Sequence, residues 1–247
     1  MSESNQHNHI DRFQLGAGPD RRGSLIDIAI YLGAGLGFFL IEELLREYNL
    51  FPYPGLFDGA LSLILSFFVV AGIMKWRGQS WGDFGLRRPE RKRTIPLWGF
   101  VVLLVNIVAQ LTIVPLLAML FNLPAPDFSR YDVLTGNLGL FITVVIGAMI
   151  TGGFIEEFIY RGLMVDRLAR IFGGGKRGFI LAAGASGIPF GLIHFEWGIG
   201  GMFTTAVMGG VLGYMYLATK RNLWPLIAAH ATLDLILLWQ MYLGVLS

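Results

Sequence analysis

Seven stretches of the chain are apolar over roughly the length of a membrane helix, about 20 residues, and more polar segments separate them. They run over 24–41, 58–74, 95–121, 138–160, 179–195, 199–218 and 223–243. The second and fifth are short. The third is long and contains Asn106, Gln110 and Pro115, which predicts a kinked or tilted helix. The pattern predicts an all-α fold, a polytopic transmembrane helix bundle of about seven spans, with room for eight helices. Residues 1–23 are too polar for a signal peptide and read as a flexible tail. Residues 24–247 read as one transmembrane domain. His7 and His9 fall in the tail and receive no role.

Composition agrees with this reading. The 247 residues are 54% hydrophobic and 15% charged, with a mean hydropathy of +0.60. A soluble domain carries about 25% charged residues. A net charge of +2 gives no nucleic-acid signal, so the basic residues are informative by position. The chain has no cysteine, which excludes disulfides, thiol catalysis and thiolate metal sites.

Those positions are uneven. KWRGQSWGDFGLRRPERKR, Lys75–Arg93, is the strongest basic cluster. Arg12, Arg21, Arg22, Arg167, Arg170, Lys176, Arg177, Lys220 and Arg221 fall on the same side of the predicted bundle. The opposite loops, 42–58 and 122–137, hold only Arg46 and Arg130. The positive-inside rule then places the N-terminus in the cytoplasm. The basic loop reads as an orientation signal that also meets lipid headgroups. FGGGKRG at Phe172–Gly178 lacks the spacing and the Ser/Thr of a phosphate loop and reads as a turn. Small-residue pairs, Gly33/Gly37, Gly187/Gly191 and Gly209/Gly213, predict close helix approach.

Ionisable residues inside spans are costly and mark function. Here they are Glu156, Glu157, Arg161, His194, His230 and Asp234. Asp27, near the start of the first span, reads as interfacial. Glu157 and Arg161 are four residues apart and share a helix face; Glu156 lies about 100° around the helix from Glu157 and points elsewhere. His230 and Asp234 repeat the four-residue spacing, as do Phe190 and His194. At ~1.5 Å per residue, Glu156 lies ~20 Å in from Arg170, His230 ~14 Å in from Arg221, and His194 ~25 Å in from Arg177. The three can meet within the membrane if their helices are neighbours. IEELLREY at Ile41–Tyr48 also pairs glutamates with an arginine, but without a buried histidine, and reads as interfacial.

A glutamate and histidines around water suit hydrolysis. Glutamate acts as general base, histidine orients the water, and a second polar pair stabilises an oxyanion. Alternatively, Glu156, His194, His230 and Asp234 hold a divalent metal such as zinc. Two non-hydrolytic readings stand beside these: a membrane scaffold, and a proton- or metal-linked transporter with a buried polar cluster.

Three motifs in order, Glu156-Glu157-Phe-Ile-Tyr-Arg161, Phe190-Gly-Leu-Ile-His194 and His230-Ala-Thr-Leu-Asp234, resemble the prenyl-protein (CAAX) protease and bacteriocin-processing family of intramembrane proteases, the Rce1-type group. The resemblance covers about 138–243, and WGDFGLRRP at Trp81–Pro89 looks like the basic loop of bacterial members. It implies an intramembrane endopeptidase cutting near the membrane face, in a bacterial cytoplasmic membrane. Its partners would be lipid and peptide or membrane-protein substrates, prenylated ones included. By the resemblance, Glu156 is the catalytic carboxylate and His194 its partner on the water. Glu157 pairs with Arg161, His230 and Asp234 complete the site, and Phe190 packs behind it. Many members carry asparagine where this chain has Asp234. Asparagine donates to an oxyanion and an ionised aspartate does not, which favours Asp234 as a metal ligand or as an orienter of His230.

Overall fold

The computed structural model describes residues 12–48, 56, 59–88 and 93–246; His7 and His9 lie outside them. The described residues form eight helices and no strand. They are α1 (Arg21–Glu47), α2 (Ala60–Trp76), α3 (Thr94–Phe121), α4 (Leu138–Ile171), α5 (Gly175–Ala185), α6 (Gly187–Leu192), α7 (Gly198–Ala218) and α8 (Trp224–Tyr242). Helices α1, α3, α4 and the stretch Phe195–Ala218 that contains α7 are long and apolar enough to cross a membrane. Helix α2 is a shorter apolar helix of 17 residues. The stretches expected over 179–195 and 223–243 are helical too, but the first is broken and the second carries His230 and Asp234.

Local chemistry sets these boundaries. Asp20 caps α1, its Oδ1 accepting from the Gly23 amide at 2.7 Å. Asn137 does the same for α4 through the Leu140 amide, at 3.1 Å. Gly59 precedes α2 and offers no side-chain cap; the Glu42 carboxylate reaches over from α1 to accept from the Ser62 amide at 3.0 Å. The first glutamate of the IEELLREY stretch is therefore a structural cap, and the second, Glu43, pairs with Arg46. Helix α3 runs through Pro115 without a break. The fifth expected span does break, at Ser186. Pro189 has no N–H to give the Ala185 carbonyl, so the chain ends α5 and starts α6 there.

Helix α4 is the centre of the bundle. It continues past 160 to Ile171, and its middle, Met149–Met164, is wound as a π-helix, a form that concentrates at functional sites. Every residue from Ile155 to Met164 is buried. Helices α2, α7 and α8 pack on it. Glycines permit the closest packing nearby. A Cβ on Gly187 would lie 2.4 Å from the Ala206 carbonyl, and one on Gly213 2.2 Å from the Ala183 carbonyl, so α7 approaches α5 and α6 backbone to backbone. Gly33 and Gly37 differ from that expectation: both face open space.

The basic end of the bundle is also more built than its pattern suggests. Phe84 of the WGDFG loop is fully buried and stacks on Phe158 with ring centroids 5.2 Å apart. Asp27 is fully buried in the protein and accepts from Arg77 at 2.7 Å and from Arg167 at 2.9 Å. Arg167 also donates to Asp166 at 2.6 Å and to Gln79 at 2.5 Å. The same network also reaches residues 12–20. Arg221 donates to the Gln14 carbonyl at 3.0 Å, Arg170 to the Gly16 carbonyl at 2.9 Å, and Gln79 to the Ala17 carbonyl at 2.7 Å.

Candidate active site

The site forms where α8 crosses the π-wound part of α4. Two glycines make the crossing close. A Cβ on Gly152 would meet Asp234 Oδ2 at 2.5 Å, and one on Gly153 would meet the Ala231 Cβ at 3.0 Å. His230 and Asp234, one turn apart on α8, are thereby pressed against Glu156 and Glu157.

Glu157 is the hub. It is fully buried and stands 3.0 Å from Arg161 as an ion pair. The same oxygen lies 2.7 Å from His230 Nδ1. A carboxylate accepts, so Nδ1 carries the proton and donates it. This fixes the ring and turns Nε2 toward Glu156, 3.8 Å away, and Asp234, 3.6 Å away. The partner that orients His230 is thus Glu157, and Asp234 stands on the opposite side of the ring. Spacing along the chain gives no sign of the Glu157–His230 bond, because 73 residues separate the two. Arg161 ties the hub to the rest of the bundle. It donates to the Gly209 carbonyl at 3.2 Å and lies over the Phe190 ring at 4.6 Å.

His194 sits after the short helix α6. Its Nδ1 lies 2.8 Å from the Phe190 carbonyl. A carbonyl only accepts, so Nδ1 is protonated and the neutral ring keeps Nε2 as a lone pair. The Phe190 ring packs against both imidazoles, 5.1 Å from His194 and 5.8 Å from His230. What unites the residues is a cavity of about 510 Å³, lined by Glu156, His194, His230 and Asp234 together with Tyr31 and Tyr160. Its remaining wall is mainly apolar and includes Leu32, Leu36 and Phe39 of α1 and Leu237 and Leu238 of α8. Glu196, paired with Arg130, also lines it.

The metal reading does not fit this arrangement. Among the described residues no group of three histidines or carboxylates is placed to hold one ion.

No curated protein and no solved structure matches the chain. A family model does match, that of the Rce1-like type II CAAX prenyl endopeptidases, over residues 138–236. All three motifs and both sides of the α4–α8 crossing fall inside those residues. Residues 138–236, which carry the site, thus match the model of the Rce1-like type II CAAX prenyl endopeptidases, the family that the motifs resemble.

Proposed function

We propose that the protein is an intramembrane endopeptidase that hydrolyses a peptide bond with water activated by Glu156 and His194. The observation that carries this reading is the sharing of one cavity by Glu156, His194, His230 and Asp234, within the residues that match a protease family. The water donates a hydrogen bond to each of two acceptors, the Glu156 carboxylate and His194 Nε2, which leaves an oxygen lone pair aimed at the carbonyl carbon. Attack forms the tetrahedral intermediate. Glu156 takes the water's proton and delivers it to the leaving nitrogen as the C–N bond breaks. His230, oriented by Glu157, and Asp234 border the opposite side of the reacting group.

The apolar wall beside the carboxylates suits a substrate with a lipid-like tail, which favours membrane-associated peptides, prenylated CAAX-type tails included. The basic end of the bundle, with Arg77, Arg167, Arg170 and Arg221, supports a cytoplasmic N-terminus, and the polar tail and basic loop support a bacterial membrane. The test is a panel of farnesylated and unprenylated peptides offered to the purified protein, with products weighed by mass spectrometry. Cleavage at one bond, faster on the farnesylated members, is the expected result. A protein that cuts none of them, and instead carries protons or a metal ion across vesicles, would establish the transporter reading in its place.

A further inference from the structure

Proteolysis needs a hydrogen-bond donor for the oxygen of the carbonyl under attack. Glu156 and Asp234 as carboxylates only accept. His194 gives its Nδ1 proton to the Phe190 carbonyl, and His230 gives its Nδ1 proton to Glu157. Among the hydroxyls that line the cavity, two tyrosines form a buried pair. Tyr31 on α1 donates to the Tyr160 hydroxyl at 2.9 Å. Both residues are at least nine-tenths buried, with 5% and 1% exposure, and both line the cavity beside Glu156. A pair of hydroxyls holds two protons and uses one between them. The other remains on Tyr160.

We propose that the Tyr160 hydroxyl is the donor to the carbonyl oxygen of the scissile bond, with Tyr31 as the positioning residue that holds it. The assignment rests on the proteolytic reading above and deepens it. Three placements support it. Tyr160 follows Glu156 by four residues, so the donor and the general base project from neighbouring turns of one rigid, buried helix. Its ring is fixed edge-on against Phe190, centroids 5.1 Å apart, and edge-on against Tyr31, 6.3 Å apart. The Tyr31 bond fills the acceptor side of the Tyr160 oxygen, which turns its proton away from Tyr31. It also gives α1, which lies outside the matched residues 138–236, a part in the chemistry.

The test uses the full-length protein in lipid–detergent micelles, with an internally quenched farnesylated CAAX-type peptide as probe. Removing one oxyanion donor costs about 10²–10³ in kcat. Tyr160→Phe is therefore expected to lose about that factor with KM within about twofold of wild type. Tyr31→Phe removes only the bond that aims the donor and is expected to lose about tenfold in kcat, again with KM held. Glu156→Gln serves as the control for the parent reading. If Glu156→Gln is inactive while Tyr160→Phe keeps its kcat within about twofold, the tyrosine assignment is overturned and the protease reading survives. If wild type does not cut the probe, or Glu156→Gln cuts it as wild type does, both fall together. Should Tyr160→Phe not fold, Tyr31→Phe decides, because an unchanged kcat there overturns the pair.

Discussion

His230 donates its Nδ1 proton to Glu157 at 2.7 Å, while the same carboxylate oxygen lies 3.0 Å from Arg161. One buried carboxylate therefore sets the tautomer of an imidazole on α8 and neutralises a cation on its own helix. Glu157→Gln keeps the shape but weakens both bonds and allows the amide to present a donor to His230. The expected outcome is a folded protein whose kcat on a cleaved peptide drops at least about tenfold, with KM little changed. Steady-state kinetics on the purified variant checks this.

The ion pair makes a separate prediction about stability. Removing one partner of a buried pair costs about 3–5 kcal/mol, because the other is left charged and unpaired. Arg161→Leu should lower stability by about that amount, and by more than the double variant Glu157→Leu/Arg161→Leu does relative to wild type. Thermal unfolding in detergent of the two single variants and the double one measures the coupling.

Glycine at 152 keeps α8 against α4. A Cβ there would come within 2.5 Å of Asp234 Oδ2, whereas one at Gly33 meets open space. Gly152→Ala should push the Asp234 carboxylate away from His230 and cut kcat by at least about tenfold, since small displacements of reacting groups are costly. Gly33→Ala should leave both activity and stability within about 0.5 kcal/mol of wild type. The two variants assayed side by side separate a local steric effect from a general intolerance of alanine.

The Asp27 network predicts a defect far from the cavity. Asp27 accepts from both Arg77 and Arg167, and the side chains of Asp27 and Arg167 are fully buried. Asp27→Ala removes one of the two carboxylates on Arg167, Asp166 remaining, and should destabilise the fold by about 1–3 kcal/mol. Residues 12–20, held by Arg170, Arg221 and Gln79, should also become accessible. Limited proteolysis of the tail in wild type and variant reads this out.

The helical class and the residues of the polar cluster were legible because apolar runs and the charges inside them are local signals. Glu157 and Arg161, four apart on one helix, announce their pairing. The break at Ser186 was half visible, since Pro189 suggests a bend but not where the helix stops. Long-range facts were not legible. Nothing near Asp27 in the chain reveals that Arg77 and Arg167 converge on it. Gly152 and Gly153 look like any helix-packing glycines until Asp234 and Ala231 are seen against them. Gly33 and Gly37 carry the same spacing as Gly209 and Gly213, yet only the latter pair meets a backbone. Tyr31 lies outside every motif, and its partner Tyr160 reads as one more aromatic in an apolar stretch.

The central claim is that Glu156 activates the attacking water, and the kcat of Glu156→Gln on a peptide cut by wild type tests it most directly. The substitution preserves size and removes the base. A fall of about 10²–10⁴-fold in a variant that unfolds at the wild-type temperature is the predicted result. Cleavage by Glu156→Gln at the wild-type rate would contradict the account.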